Sequence, residues 1–326
     1  MKTSSSTAIH RHIRRVAAAA AALLVAVSMT ACSSSNSGSG GSSASGATGG
    51  FNTGHAAYDA VINAGPVASA DAIAASKWAT AVKASGTLRI GGTQTSKLFS
   101  LMDPTSNQVI GFDAGLGQLL SRYIFGSVKT NLTVVTSATR EQVITSNSVD
   151  VVIATYSITA ARMQQVDFAG PYYNSQAAIM VAADNTSINS VDDLNGKTVA
   201  TQAGSTGVAL LQQYAPSAKV VELPDDASCQ AAVTQGQADA YVIDQSILLS
   251  DLVGNTTEKL AGEPFGPNDS YGIGVSKDSD GKAFINQFLT TIEQNGTWQQ
   301  LWQATIQAQT QTTQTATPPA IGSAGN

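Results

Sequence analysis

The stretch Asp150–Tyr173, DVVIATYSITAARMQQVDFAGPYY, carries the signals around which the rest of the chain is organised. It begins with an apolar run, residues 151–154, bounded by an acidic residue, and such a run predicts a buried strand. Small hydroxyl residues follow at alternate positions. Because successive side chains of a strand point to opposite faces, this alternation places Thr155, Ser157 and Thr159 on one face.

Arg162 follows this row of hydroxyls directly. A guanidinium binds a carboxylate through two parallel N–H···O bonds, and hydroxyls add further donors. The stretch therefore predicts a site for a planar anion where the strand ends. Taken in isolation, the same residues also fit a surface Arg beside an ordinary strand–loop–helix turn, and the rest of the chain has to distinguish these interpretations.

Short apolar strands alternate with amphipathic helices on both sides of this stretch. Such an order predicts parallel sheets, with ligand groups at the carboxyl ends of the strands, and therefore an α/β fold. The predicted strands are 87–92, 132–136, 151–154, 197–201, 219–223, 240–243 and 271–275, and the predicted helices are 114–125, 141–147, 208–214, 227–235 and 281–296.

The first residues resemble a bacterial lipoprotein leader. Basic residues precede an unbroken apolar run, 16–27, which is too short for a membrane span of about 20 residues but suits a signal peptide. Small residues then precede Cys32, and a Ser/Gly/Asn tract, 33–50, follows it as a flexible tether. We therefore predict a lipoprotein signal peptide over 1–31 and a lipid on Cys32. The alternative is an ordinary secretory signal.

Composition limits the class of protein. The chain has 326 residues with 17 Lys+Arg and 22 Asp+Glu, and removal of the leader leaves 13 basic residues against 22 acidic ones. An acidic domain is a poor ligand for nucleic acid or an anionic membrane surface. All three histidines, His10, His12 and His55, precede the predicted core, which argues against a Ser/His or Cys/His nucleophile and a His-ligated metal. No cofactor and no metal are expected. Cys229 has no predicted disulfide partner and is expected to be buried.

In its order of motifs, the chain resembles the bacterial extracellular solute-binding proteins that serve polar amino-acid ABC importers. The loop 92–104 resembles the glutamate-binding branch from Gram-positive bacteria. The matching motifs lie in family order between residues 86 and 306: Gly111-Phe112-Asp113, Ser157-Ile158-Thr159-Ala160-Ala161-Arg162, Val166-Asp167-Phe168, Gly170-Pro171-Tyr172-Tyr173, Leu194-Asn195-Gly196-Lys197, Gly204-Ser205-Thr206, Gly236-Gln237-Ala238-Asp239-Ala240 and Tyr271-Gly272-Ile273.

This resemblance implies a periplasmic-binding-protein-like fold, with two Rossmann-like α/β lobes joined by a two-strand hinge. The expected order along the chain is the tether and an Ala-rich helical segment in 32–85, lobe 1 in 86–172 and 273–306, lobe 2 in 177–269, and a disordered tail in 307–326. The hinge strands are expected near 173–176 and 270–272. Whether residues 51–85 pack on the core is left open.

The resemblance also assigns roles to the polar residues. It implies that Arg162 clamps the α-carboxylate of an amino acid, helped by Thr155, Ser157 and Thr206, and that Asp244 accepts the ammonium group. The residues themselves support this, because a buried zwitterion needs one cation and one anion at a fixed separation. Asp244 also fits a simple helix N-cap, and the Gly204-Ser205-Thr206 turn also fits an ordinary strand-to-helix turn.

Specificity is predicted from Ser137 and Arg140, which stand where acidic-amino-acid binders hold the side-chain carboxylate. Lys97 is expected either to add a second cation or to be solvated. Tyr156 and Phe99 are expected either to wall the cleft or to pack in the core, and Trp298 and Trp302 are expected in the core. Two departures from the family stand out: Thr93 replaces an Arg of other acidic-amino-acid binders, and Lys97 replaces the usual Pro.

The predicted function is capture of glutamate or aspartate by a monomeric protein, outside the cytoplasm and anchored through Cys32, for delivery to ABC importer permease subunits. Glutamine and asparagine remain open as ligands. Two other classes compete with this prediction: a ligand-sensing ectodomain that reports to a membrane sensor, and a dehydratase-like enzyme on the same fold, for which Glu141 and Asp167 are available acids.

Overall fold

The structure is a computed structural model, and it describes residues 54–324. The predicted signal peptide, Cys32 and the tether up to residue 53 lie outside the described residues. Within 54–324 no helix is long and apolar enough to cross a bilayer, and no group of three or more His, Cys, Asp or Glu side chains is arranged to hold a metal ion. Cys229 is buried, as expected.

The described chain begins and ends with helices, and strands and helices are interspersed between these ends. The strands are β1 Leu88–Gly92, β2 Thr95–Ser96, β3 Ser100–Met102, β4 Val109–Ile110, β5 Thr130–Val134, β6 Val151–Val152, β7 Val166–Ala182, β8 Thr198–Gln202, β9 Lys219–Leu223, β10 Ala240–Asp244 and β11 Glu258–Ser276. The helices are α1 Gly54–Ala64, α2 Ala70–Ala74, α3 Lys77–Ser85, α4 Phe112–Phe125, α5 Arg140–Thr145, α6 Ala160–Met163, α7 Gly207–Tyr214, α8 Asp226–Thr234, α9 Gln245–Leu252, α10 Gly281–Gln294, α11 Thr297–Trp302 and α12 Ala308–Thr310, with a 3₁₀ turn at Val191–Leu194 and a π-helical turn at Gln303–Gln307.

One eight-stranded sheet runs through the molecule in the order β5-β1-β6-β11-β7-β10-β8-β9. The outer strands are parallel on each side, β5-β1-β6 in lobe 1 and β10-β8-β9 in lobe 2. The long antiparallel strands β7 and β11 connect the two sides, and each contributes to both lobes. This is a two-lobed α/β fold, as the order of signals along the chain predicts.

The two long strands cross between the lobes at a short paired segment. Tyr173 pairs with Tyr271, Asn174 with Ser270, and Ser175 with Asp269, and the register shifts on the lobe 2 side between Phe265 and Asp269. The predicted hinge positions lie in this segment. The predicted strand 271–275 is therefore only the end of a 19-residue strand, because β11 continues from lobe 2 into lobe 1.

Each lobe buries apolar side chains on both faces of its part of the sheet. In lobe 1, one core contains Leu116, Phe288 and Trp298, and the opposite core contains Ile144 and Tyr156. Lobe 2 has a corresponding pair of smaller cores. Since a parallel sheet covered on both faces exposes only its edges and strand ends, polar groups collect at the carboxyl ends of the strands. Trp298 and Trp302 are buried in lobe 1, as expected.

The segment 54–85 packs on lobe 1, which answers the question that the sequence leaves open. Tyr58, Ile73 and Val82 are buried in the same core as the lobe 1 helices. The carboxylate of Asp280 accepts the backbone N–H groups at the start of α3, with distances of 2.6 and 3.0 Å. Helices α1 to α3 therefore form part of the folded body.

Residues 311–324 also lie against lobe 1, although their Gln/Thr/Pro/Gly composition predicts a disordered tail. Ala316 and Ile321 pack against the lobe 1 core, and the backbone N–H of Gly322 donates to the carbonyl of Gly170 at 2.9 Å. Two apolar side chains in a polar segment provide the anchor, which average composition does not reveal.

Candidate functional site

A cavity of about 250 Å³ lies between the lobes. Drug-sized ligands occupy pockets of about 300–1,000 Å³, so this volume suits a smaller molecule. Its lining is Thr93, Gln94, Thr95, Ser96, Val134, Val135, Thr136, Ser137, Arg140, Ala154 and Thr155 from lobe 1, and Gln202, Asp225, Asp226, Ala227 and Ile247 from lobe 2. Most of these residues follow the carboxyl ends of strands.

The polar loop after β6 has a different conformation from the predicted strand end. The strand stops at Val152, and Thr155 has a φ of +43°, in the left-handed region. Alternation therefore does not apply to the hydroxyls that follow. The side chain of Thr159 instead caps α6 by accepting the backbone N–H of Arg162, so this hydroxyl belongs to the helix start.

Arg140 is the first residue of α5 and is only 4% exposed. Its Nη1 donates to the carbonyl oxygens of Ala154 and Thr155 at 3.0 and 3.3 Å, and its Nε has no hydrogen-bond partner. The guanidinium lies 4.5 Å from the ring centre of Tyr156. Burial, followed by the positive charge of Arg162, lowers the pKa of Arg140 to about 10.

Arg162 is 8% exposed and is held from several sides. Its guanidinium donates to the carbonyl oxygens of Ser157 and Gly204, both at 2.8 Å, and its Nε lies 3.3 Å from Oε1 of Glu141. It shares the Tyr156 ring with Arg140, at 5.2 Å. We call Arg140 and Arg162 the cationic pair.

Asp244 ends β10 and is 3% exposed. Its Oδ2 accepts the hydroxyl of Tyr271 at 2.7 Å, and its side chain makes no cap bond to α9, so the helix-cap interpretation does not hold. Asp269 lies beside it and accepts the hydroxyl of Thr206 at 2.9 Å. Burial, followed by the charge of Asp269, raises the pKa of Asp244 well above its usual range. We call Asp244 and Asp269 the acidic pair.

The hinge brings the two pairs towards each other. Residues 156–158 lie antiparallel to 270–272 of β11: Ile158 donates its N–H to Ser270, and Gly272 donates its N–H to Tyr156. Asp244 is consequently close enough to Arg140 for each charge to stabilise the other. Two like charges that share a buried position need an opposite charge nearby. The arrangement therefore suits a ligand that carries one anionic and one cationic group.

The lobes touch directly around this region. Ser137 donates to Oε1 of Gln202 at 3.0 Å, and Arg162 reaches the carbonyl of Gly204 in lobe 2. A Cβ at Gly204 would lie 2.8 Å from Cα of Ala138, so only glycine allows this approach. Neither Arg162 nor Asp244 lines the cavity; Arg162 donates to Gly204, and Asp244 accepts from Tyr271.

The remaining predicted site residues lie at different depths. Ser137, Arg140 and Thr155 line the cavity. Phe99 is buried in the lobe 1 core, and Tyr156 is buried beneath the cationic pair, so neither walls the cavity. Lys97 is half-buried, donates through Nζ to the carbonyl of Val253 at the end of α9, and does not line the cavity.

Several polar residues near the cleft carry no signal that sequence inspection used. Asp269 follows no strand end, and Asp113 belongs to a motif that the prediction used only for the fold. Asp226 accepts the hydroxyl of Tyr241 at 2.8 Å and lines the cavity. Asp226 stands at the start of the helix that follows β9, and residues just after the carboxyl end of a strand are candidates for a cleft, so its position in the sequence could have identified it.

The fold and the charged cleft define a class, the two-lobed ligand-binding proteins that close around a small solute. Residues 88–306 match the family described as bacterial extracellular solute-binding proteins, family 3. The chain belongs to this family.

Relatives of known function bind amino acids. The chain is 30% identical to the ABC transporter glutamine-binding protein of Bacillus subtilis over 69% of this chain and 83% of that protein. It is 36% identical to the glutamate-binding protein of Corynebacterium glutamicum over 51% of this chain and 58% of that one. A solved structure, an ancestral arginine-binding protein bound to glutamine, superposes with a TM-score of 0.63 at 32% identity and covers 68% of this chain and 97% of that structure.

Proposed function

We propose that this protein binds glutamate or aspartate outside the cytoplasm and delivers it to an ABC importer. The observation that carries this proposal is that the cationic pair and the acidic pair lie close together at the hinge, with Arg140, Arg162 and Asp244 buried and Asp269 half-buried. An amino-acid zwitterion adds a carboxylate for the cationic pair and an ammonium group for the acidic pair. We assign the α-carboxylate to Arg162 and the ammonium group to Asp244, with Asp269 beside it.

The environment of Arg140 favours a ligand with an acidic side chain. It lines the cavity with Ser137, and its Nε is buried without a partner. An unpaired buried donor is costly, so a ligand carboxylate at this point satisfies a group that the protein leaves open. The hydroxyl of Ser137 offers a second hydrogen bond.

Glutamine is the second candidate ligand. Gln202 and Asp226 form the opposite wall of the cavity, where Gln202 donates to the hydroxyl of Tyr241 and that hydroxyl donates to Asp226. A side-chain amide can donate to the carboxylate of Asp226, whereas a side-chain carboxylate is repelled by it. The similarity to glutamine-binding proteins supports this candidate as well.

The two acids that a dehydratase on this fold could use are both engaged by other groups, which supports binding without turnover. Asp167 is occupied by Lys277 at 2.9 Å and by the backbone of Asp278 at 2.7 Å, and it does not line the cavity. Glu141 is paired with Arg162. A product released from any candidate amino acid would contradict the binding-only proposal. Uptake that fails when the neighbouring permease genes are deleted separates transport from sensing.

Replacement of Arg140 with Ala tests the ligand class. We expect the affinity for glutamate and aspartate to fall about 10- to 100-fold, the value of a charge-assisted hydrogen bond, while glutamine and asparagine change far less. Isothermal titration calorimetry with all four amino acids measures this. Arg122→Ala is the matched control, since Arg122 donates to Gly65 and Gly126 in lobe 1. Equal losses for all four ligands would reject the role of Arg140.

The lipid anchor has its own test. If Cys32 carries the lipid, Cys32→Ala releases the protein from the membrane fraction to the medium, because alanine has no thiol to carry the lipid. Immunoblots of membrane and medium fractions measure the distribution, and Cys229→Ala is the control. Unchanged membrane association of the Cys32 variant would place the anchor elsewhere.

A further inference from the structure

We propose that Asp113 is a positioning residue for Arg140, and that its charge sets how strongly the cleft prefers acidic over amide ligands. The inference rests on the proposed function, in which Arg140 receives the side-chain carboxylate of the ligand. Asp113 does not line the cleft cavity. It acts through the Thr155 peptide.

The carboxylate of Asp113 ties three elements together. Asp113 lies in the first turn of α4 and is 2% exposed. Its Oδ2 accepts the backbone N–H of Thr155 at 2.7 Å, and its Oδ1 accepts the hydroxyl of Tyr172 at 2.9 Å. Tyr172 directly precedes the hinge segment of β7. The same carboxylate therefore holds both the ligand loop and the strand that leads into the hinge.

The contact to Thr155 explains an unusual backbone conformation. A β-branched residue at φ +43° is strained, and such strain persists only where neighbouring groups hold it. In this conformation the carbonyl oxygens of Ala154 and Thr155 both face Arg140 and accept from its Nη1. Asp113 and Arg140 are thus linked through a single residue, and the unpartnered Nε of Arg140 is left for the ligand.

Asp113 also acts on Arg140 by its charge. The positive charge of Arg140 favours the ionised form of Asp113, so the two groups already interact in the absence of ligand. A ligand carboxylate at Arg140 would bring a second anion into the same field. The two anions then compete for one cation, and the competition disappears when Asp113 is protonated.

Asp113 changes its protonation state within a pH range that is accessible to experiment. Burial raises the pKa of Asp113 to about 7, although the hydrogen bonds from Thr155 and Tyr172 and the charge of Arg140 pull the pKa down. The titratable groups around it are Tyr172 and Tyr173 of β7, Arg140 of α5 and Asp59 of α1; Asp59 lines the same lobe 1 cavity as Asp113. That cavity, of about 570 Å³, provides a route for proton exchange with solvent.

The sign of the pH effect follows from linkage. An anionic side chain near Asp113 raises its pKa further, so binding of an acidic amino acid takes up a proton near pH 7. Affinity for an acidic ligand therefore increases as the pH falls through 7, and affinity for an amide ligand does not. For a shift of about one unit, the ratio of the glutamine Kd to the glutamate Kd increases about tenfold between pH 8.5 and pH 5.5.

The test is calorimetric titration of glutamate and glutamine at pH 5.5, 7 and 8.5 with the wild type, Asp113→Asn and Asp59→Asn. Asparagine keeps an acceptor for the Thr155 N–H and can donate to the Tyr172 hydroxyl. We expect the ratio of the glutamine Kd to the glutamate Kd to depend on pH in the wild type. In Asp113→Asn this ratio should not change with pH and should equal the wild-type value at low pH. Asp59→Asn removes an exposed acid from the same cavity and should follow the wild type.

The outcomes separate the two proposals. A flat ratio in the wild type, or an unchanged pH profile in Asp113→Asn, overturns the inference while acidic ligands still depend on Arg140. Equal losses for acidic and amide ligands in Arg140→Ala overturn the proposed function instead. Should Asp113→Asn not fold, the wild-type profile and the proton uptake on glutamate binding, measured in buffers of different ionisation enthalpy, decide the question.

Discussion

Asp244→Asn should weaken the binding of every amino acid by roughly 30-fold or more and, at the same time, stabilise the ligand-free protein. The ammonium group of the ligand loses its buried carboxylate partner, and truncation of one member of a buried charge pair costs about 2–5 kcal/mol, or roughly 30- to 5,000-fold in affinity. Asparagine keeps the acceptor for the Tyr271 hydroxyl. Titration calorimetry with the four candidate ligands measures the loss.

The gain in stability comes from the acidic pair. The pKa of Asp244 is raised in the folded protein, so the stability that this group contributes is present at low pH and is lost as the pH rises. Asparagine does not ionise, so the Asp244→Asn variant does not lose this stability as the pH rises. The free energy of unfolding of the variant should exceed that of the wild type at pH 8, and the difference should shrink as the pH falls below about 4, where the wild-type carboxyl becomes protonated in both states.

Asp239→Asn provides the control for the same lobe. Asp239 is exposed, precedes β10 at the end opposite Asp244, and accepts the backbone N–H of Thr198 at 2.8 Å. The Asp239→Asn variant should bind each ligand with the affinity of the wild type. Affinity of Asp244→Asn within threefold of the wild type would contradict the role of Asp244 as ammonium acceptor, whatever its effect on stability.

Arg162→Lys should weaken the binding of all four amino acids about 30- to 100-fold, without discrimination between acidic and amide side chains. Lysine keeps the charge, but a single ammonium cannot reproduce a planar fork that reaches Ser157, Gly204 and Glu141 and still faces a carboxylate. The α-carboxylate is common to all amino acids, so the loss is uniform. Titration calorimetry against glutamate and glutamine is the measurement.

Arg122→Lys is the matched control for this substitution, because it changes an Arg that donates to backbone carbonyls within lobe 1. Its ligand affinities should not change. A loss confined to glutamate and aspartate in Arg162→Lys would exchange the roles of Arg162 and Arg140. Retained affinity for all four ligands would remove the α-carboxylate assignment.

Apart from 271–275, the strands and helices that were predicted begin and end within two residues of those in the structure, whereas the long strand β7 was not predicted. The predicted strands 219–223 and 240–243 correspond to Lys219–Leu223 and Ala240–Asp244. Short apolar runs bounded by glycine and acids are local signals, and they report local backbone preferences. The same reasoning was wrong about the extended loop through Thr155, because a tertiary contact from Asp113 imposes a left-handed conformation there.

The packing of the chain ends was not predictable in the same way. Helices α1 to α3 carry an Ala-rich sequence that fits either a spacer or a packed layer, and their attachment depends on complementary surfaces of lobe 1 and on Asp280. Ile321 anchors a polar segment for a similar reason. Such contacts join residues more than one hundred positions apart, which periodicity does not record.

The sequence by itself determined the α/β order and the family, and it singled out Arg162, Arg140 and Asp244 as candidate ligand residues, since each of these rests on neighbouring residues along the chain. The tertiary structure decided which charges meet. Asp269 joins Asp244, and Asp113 reaches Arg140 through Thr155, because two crossing strands bring together residues that the chain keeps apart. Charge interactions depend on distance in space and on burial, and both arise only when the chain has folded.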